Sequence, residues 1–105
     1  MYILGDIGNT ETKIFLVNKK NKILKKINFQ TKNLNQKLLK YKLNRLFKNN
    51  IKIDKILFCS VVPKIFLIFK KHLSNKFKIK CYEVKDLDLS SIIKIDVNYN
   101  QVGSD

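Results

Sequence analysis

The sequence predicts an α/β domain, a mixed sheet with helices in the order β-β-β-α-β-α-β. Two observations support this order. The first thirty residues are short apolar runs parted by polar turns, and beyond them two stretches with helical spacing each lead into a further apolar run of strand length. At 105 residues and 45% hydrophobic content the chain can bury one core and is too short for two ordinary domains.

Tyr2 to Asp6 and Thr12 to Val17 are short, apolar and rich in β-branched or aromatic residues, with Gly8-Asn9-Thr10 between them, so they read as a hairpin. Asn18-Lys19-Lys20-Asn21 is a second polar turn. After it, Ile23, Lys25, Ile27 and Phe29 give an imperfect two-residue alternation for a third strand. From Leu34 to Asn49 the period changes: Leu39, Leu43, Leu46 and Phe47 recur at helical spacing among lysines and asparagines, and Asn49-Asn50 supplies a stop. Lys55 to Val62 is a continuous apolar strand of the buried kind. Pro63 suits the first turn of a helix whose apolar stretch runs from Ile65 to Leu73. Phe77 to Val84 alternates as a fifth strand, and Asp86 to Asp105 is polar apart from Ile92-Ile93. This order is that of a ribonuclease H-like domain, a topology shared by many chemistries.

A formal charge of +14 invites a nucleic-acid reading, because clustered cations release counterions from a phosphate backbone. Arg45 is the sole arginine among 22 basic residues, however, whereas phosphate and guanine recognition usually draws on the bidentate guanidinium fork. Lysine, isoleucine and asparagine are in excess along the whole chain, the pattern that codon drift in an AT-rich genome produces without a partner. Tyr41 and Phe47 fall beside the leucine stripe and read as core rather than as a stacking platform. A specific nucleic-acid module is therefore the weakest of the readings. Cys59 and Cys81 lack the spacing of a zinc or redox motif and read as reduced core residues. His72 sits among lysines and reads as a surface residue. No run reaches the length of a bilayer-spanning helix and the start lacks the order of a signal peptide, so a soluble cytoplasmic protein with no membrane contact is expected.

The stretch with the clearest chemistry is Leu4-Gly5-Asp6-Ile7-Gly8-Asn9-Thr10, an acidic residue at a strand end followed by a glycine-bearing turn. Gly8 lets the backbone approach a phosphate, the turn amides and the Thr10 hydroxyl can donate to its oxygens, and Asp6 can hold Mg²⁺ directly or through water. Lys13, just beyond, is within reach of a phosphate or faces solvent. The same residues would serve a plain hairpin, with Asn9 at positive φ and Asp6 capping local amides.

Asp6-Ile7-Gly8-Asn9-Thr10 resembles the first phosphate motif of the actin and sugar kinase superfamily, and its asparagine in place of a second glycine is similar to type III pantothenate kinases. Two further segments match that family in order. Ser60-Val61-Val62-Pro63 falls at a strand-to-helix junction, and Asn98 with Gln101-Val102-Gly103-Ser104-Asp105 looks like the family's Asn-Pro-x-Glu-Val-Gly-Ala-Asp-Arg segment, with Tyr99, Gln101 and Ser104 departing from it.

The resemblance implies an actin-like ATPase domain and transfer of the ATP γ-phosphate to the 4′-hydroxyl of pantothenate, the first step towards coenzyme A. On that footing Asp6 would serve Mg²⁺, and Ile7, Gly8, Asn9, Thr10 and Lys13 would surround the ATP phosphates. Gly103, Ser104 and Asp105 would contact pantothenate, with Asp105 as general base. It also implies a monovalent cation, K⁺ or NH₄⁺, and a homodimer. Residues 1–105 would be the amino-terminal half of a two-domain kinase, inactive without the second half; an accessory, non-catalytic protein of the same fold is the alternative.

Overall fold

The computed structural model of the chain describes residues 1–47 and 51–84. Its elements follow one another as β1 (Tyr2–Ile7), β2 (Glu11–Val17), β3 (Ile23–Gln30), a 3₁₀ turn at Thr31–Asn33, α1 (Gln36–Leu46), β4 (Lys55–Ser60), α2 (Pro63–Phe77) and β5 (Cys81–Glu83). The strands form one mixed sheet in the order β3-β2-β1-β4-β5. β1, β2 and β3 pair antiparallel, and β4 and β5 add on parallel to β1. The expected α/β class with a mixed sheet and helices is what the chain adopts.

Strand alternation divides the side chains between two faces. Ile3, Ile7, Ile14, Leu16, Phe29, Ile56 and Phe58 meet Leu39, Leu43 and Leu46 of α1 and Phe66, Phe69 and Leu73 of α2 in the larger core. Phe69 and Phe58 pack with ring centroids 5.1 Å apart, and Phe29 meets Phe69 edge-on at 6.1 Å. Each leucine of the α1 stripe contributes about 2 kcal/mol by leaving water. On the opposite face Leu4, Phe15, Val17 and Cys59 form a smaller cluster, with Tyr2, Ile23, Leu57 and Val84 against it.

The imperfect alternation of β3 has a structural cause. Pairing slips between Leu16↔Lys25 and Val17↔Ile23, so an irregularity sets Ile23 on the smaller cluster while Ile27 and Phe29 serve the larger one. Leu24, left at the slip, is exposed.

Several boundaries differ from expectation. α1 begins at Gln36, not Leu34, because the Asn35 side chain caps it by accepting the Leu38 N–H at 2.8 Å. The expected stop at Asn49-Asn50 lies outside the described residues. β4 ends at Ser60 rather than Val62, since the Ser60 hydroxyl accepts the Val62 N–H at 3.0 Å and turns the chain into Pro63 at the first helical turn. Phe77 closes α2 instead of opening β5: its ring packs edge-on against Phe47 at 5.3 Å, and Lys78 then ends the helix in a left-handed conformation at φ 58°. β5 is accordingly reduced to Cys81–Glu83.

Candidate functional site at the β1–β2 turn

β1 and β4 lie side by side and parallel, so their carboxyl ends open on the same edge of the sheet, the position where ligands collect in open α/β sheets. Two of the three sequence motifs converge there. Ile7 is opposite Ser60 in the β1–β4 register, and the Val61 N–H donates to the Ile7 carbonyl at 3.0 Å, tying the Ser60–Pro63 junction to the start of the Gly8-Asn9-Thr10 turn. The third motif, with Gly103, Ser104 and Asp105, lies outside the described residues.

The turn is a short reversal. Gly8 N–H donates to the Glu11 carbonyl at 2.9 Å, leaving Asn9 and Thr10 at the tip, both exposed. No positive φ occurs in it, so Asn9 does not use the left-handed conformation expected of a plain hairpin. Gly8 suits this closeness: a Cβ there would sit 3.0 Å from the Glu11 carbonyl oxygen, a tight contact that the backbone would have to relieve by a small shift.

Asp6, half-buried, points to the same face as Leu4, with Lys13 opposite it on β2 and Cys59 opposite it on β4. Lys13 is also 3.9 Å from the Glu11 carboxylate, a long and partly solvated pairing of little energetic weight. The Ile7 side chain is fully buried in the larger core, which leaves only its backbone near the turn.

Behind the turn stands a pair of residues that the motif reading passed over. Thr12 and Thr31 are the only buried polar side chains among the described residues. Thr31 N–H donates to the Thr10 carbonyl at 2.9 Å, and its hydroxyl donates to the Gly8 carbonyl at 2.8 Å. A hydroxyl has one proton, so in the 2.8 Å contact between the two threonines Thr12 must be the donor. The signal was present in the strand period: Thr12 and Thr31 occupy the inward phase held by Ile14 and Leu16 on one strand and by Ile27 and Phe29 on the other.

Elsewhere the aromatic and titratable residues divide. Tyr41, expected in the core, is instead 57% exposed, and Arg45 lies over its ring at 5.7 Å; Phe47 is buried as expected. His72, expected at the surface, lines a cavity of about 170 Å³ between α1 and α2 with Gln36, Lys40 and Lys71. Its Nε2 is occluded without a hydrogen-bond partner, and burial, reinforced by Lys76 and Lys40, holds its pKa below the usual value. No residue of the β1–β2 turn lines that cavity. Cys59 and Cys81 are free and buried, and burial pushes the Cys81 thiol up to about 12.

A hard oxygen donor such as the Asp6 carboxylate fits magnesium, which takes one or two carboxylates and completes its octahedron with water and nucleotide phosphates. Among the described residues no three acidic, histidine or cysteine side chains gather in one place. No helix among the described residues is long and apolar enough to cross a membrane.

Residues 2–105 match the family model described as type III pantothenate kinase. The chain is 53% identical over 105 residues to the type III pantothenate kinase of Pelagibacter ubique (strain HTCC1062), an alignment that takes in 100% of this chain and 42% of that protein. The chain thus spans less than half the length of this curated relative.

Proposed function

Because the chain belongs to the type III pantothenate kinase family, we propose that it forms the amino-terminal, ribonuclease H-like half of an enzyme that moves the γ-phosphoryl group of ATP onto the 4′-hydroxyl of pantothenate. The observation that carries this reading is the convergence of Asp6–Thr10 and Ser60–Pro63 at the carboxyl ends of two adjacent parallel strands. Phosphoryl transfer asks a protein chiefly for positioning and charge stabilisation, and the turn offers both. Its tip is open to solvent, its amides and the Thr10 hydroxyl can donate to phosphate oxygens, and Asp6 and Lys13 flank it with one charge of each sign.

In this reading Asp6 holds magnesium directly or through water, and the ion supplies neutralisation of the phosphate charge. Gly8, Asn9 and Thr10 bind the ATP phosphates, with Lys13 alongside. By resemblance, Gly103, Ser104 and Asp105 take the pantothenate end, and Asp105 accepts the proton of the attacking hydroxyl. A potassium or ammonium ion, a homodimer and a cytoplasmic site of action belong to the same proposal.

The test is formation of 4′-phosphopantothenate from ATP and pantothenate by the chain as the cell makes it, beside an Asp6→Asn variant. Turnover that falls at least about a hundredfold in the variant is expected. Turnover that is absent from the parent, or unchanged by Asp6→Asn, would sink the assignment.

A further inference from the structure

We infer that Thr31, with Thr12 behind it, is a positioning residue for nucleotide binding, fixing the peptide planes of the Gly8–Thr10 turn from the core side. The inference rests on the reading of that turn as a phosphate site and says how the site is kept in shape. Thr31 reaches the turn through the Gly8 and Thr10 backbone carbonyls. Both threonines are buried at the helix-covered side of the sheet.

The argument begins with the backbone. A trans peptide is planar and holds its C=O and its following N–H on opposite sides. No cis peptide occurs among the described residues. The Thr31 hydroxyl holds the Gly8 carbonyl at 2.8 Å, so the Asn9 N–H of that same peptide plane is turned to the side away from Thr31. The Thr31 N–H holds the Thr10 carbonyl at 2.9 Å, which fixes the plane on the far side of the tip as well. One residue, the first after β3, therefore sets both planes bracketing Asn9 and Thr10.

Thr12 completes the device. By donating to the Thr31 oxygen at 2.8 Å it commits the single Thr31 proton to the Gly8 carbonyl, so the hydroxyl has one available orientation. Donors that stand already oriented need no rearrangement when an anion arrives, which is where preorganised sites gain affinity. Thr31→Val keeps the shape and loses the bond to Gly8; Thr31→Ser keeps the bond.

The experiment measures the Mg-ADP dissociation constant by titration calorimetry on the chain as the cell makes it, in parent, Thr31→Val, Thr31→Ser and Asn18→Ala forms. Asn18→Ala alters the other tight turn and serves as the control. The expected result is binding weakened about tenfold or more in Thr31→Val, and within about twofold of the parent in Thr31→Ser and Asn18→Ala. A Thr31→Val protein that binds as the parent does overturns the inference while leaving the phosphate-site reading in place. A parent that binds no nucleotide removes that reading and the inference together. Should Thr31→Val fail to fold, Thr12→Val carries the test, since it leaves the Thr31 bond to Gly8 possible but no longer compulsory. Weakening of about threefold is then expected, and parental affinity overturns the inference.

Discussion

Two turns, of three and five residues, follow each other in the antiparallel part of the sheet and are held in opposite ways. The β2–β3 turn is held by its own residues. The Asn18 side chain accepts the Lys20 and Lys22 amides, both at 2.9 Å, the Asn18 N–H reaches the Lys22 carbonyl at 3.0 Å, and Asn21 takes the left-handed conformation at φ 63°. Among the described residues the β1–β2 turn has one internal bond, Gly8 to Glu11. It is otherwise held from outside, by Thr31, more than twenty residues away from Gly8 in sequence, and by the Val61 N–H at the Ile7 carbonyl where the turn begins. A turn that satisfies itself can form before the rest of the chain and can sit anywhere. A turn held from outside takes its shape only when the domain is assembled, and its tip is then registered to the sheet with the accuracy that a ligand site requires.

The strongest way to break this comparison is Thr31→Val, which strands the buried Thr12 hydroxyl and the Gly8 carbonyl and is expected to cost about 3 kcal/mol in urea unfolding. Thr12→Val removes one donor and leaves the Thr31–Gly8 bond, so about 1 kcal/mol is expected, and the double variant should fall well short of the sum because the two share a bond. Asn18→Ala frees two amides that water can reach; a loss of about 0.5–1 kcal/mol is expected in the same assay. A loss larger than that of Thr31→Val would reverse the contrast. Asn21→Gly relieves the left-handed strain of an L-residue and should change stability by no more than about 0.5 kcal/mol, in the stabilising direction.

A pH series sharpens the contrast, because it perturbs a third place and should leave the difference between the turns intact. The Met1 amino terminus lies 2.7 Å from the Asp54 carboxylate, and this hydrogen bond is the main cause that holds the Asp54 pKa below its ordinary 3.8. A folded pKa below the unfolded one means the contribution is complete above pH 3.8 and disappears as the pH falls through the folded value. Asp54→Asn should therefore lower the melting temperature slightly near neutrality and converge with the parent in acid. The group is solvated, so the effect is the smallest of the set.

Much of this was legible in the sequence. The strand and helix order follows from period and turn chemistry, and the Asp6–Thr10 turn from an acidic residue and a glycine at the end of a strand. Where the reading failed, a tertiary partner decided. Phe77 alternates with its neighbours as a strand residue would, yet Phe47 and the helix end claim it. Tyr41 lies beside the leucine stripe in sequence, but its position on the helix carries it to solvent. Asn9 has the chemistry for the positive φ that the plain-hairpin alternative asked for, and it does not adopt it. Thr31 itself carries no motif, and only its inward phase distinguished it from any other threonine.

The pairing of Gly5 with Phe58 on neighbouring strands has a consequence for how sequences of this kind can diverge. A Cβ at position 5 would fall 2.2 Å from the Phe58 ring, so the two residues share one volume. Any lineage that gains a methyl at the first site must first, or soon after, surrender the ring at the second. Gly5→Ala alone and Phe58→Leu alone should each be crossed only at a loss, while the two together recover part of it, and the distant codons are expected to drift as a linked pair.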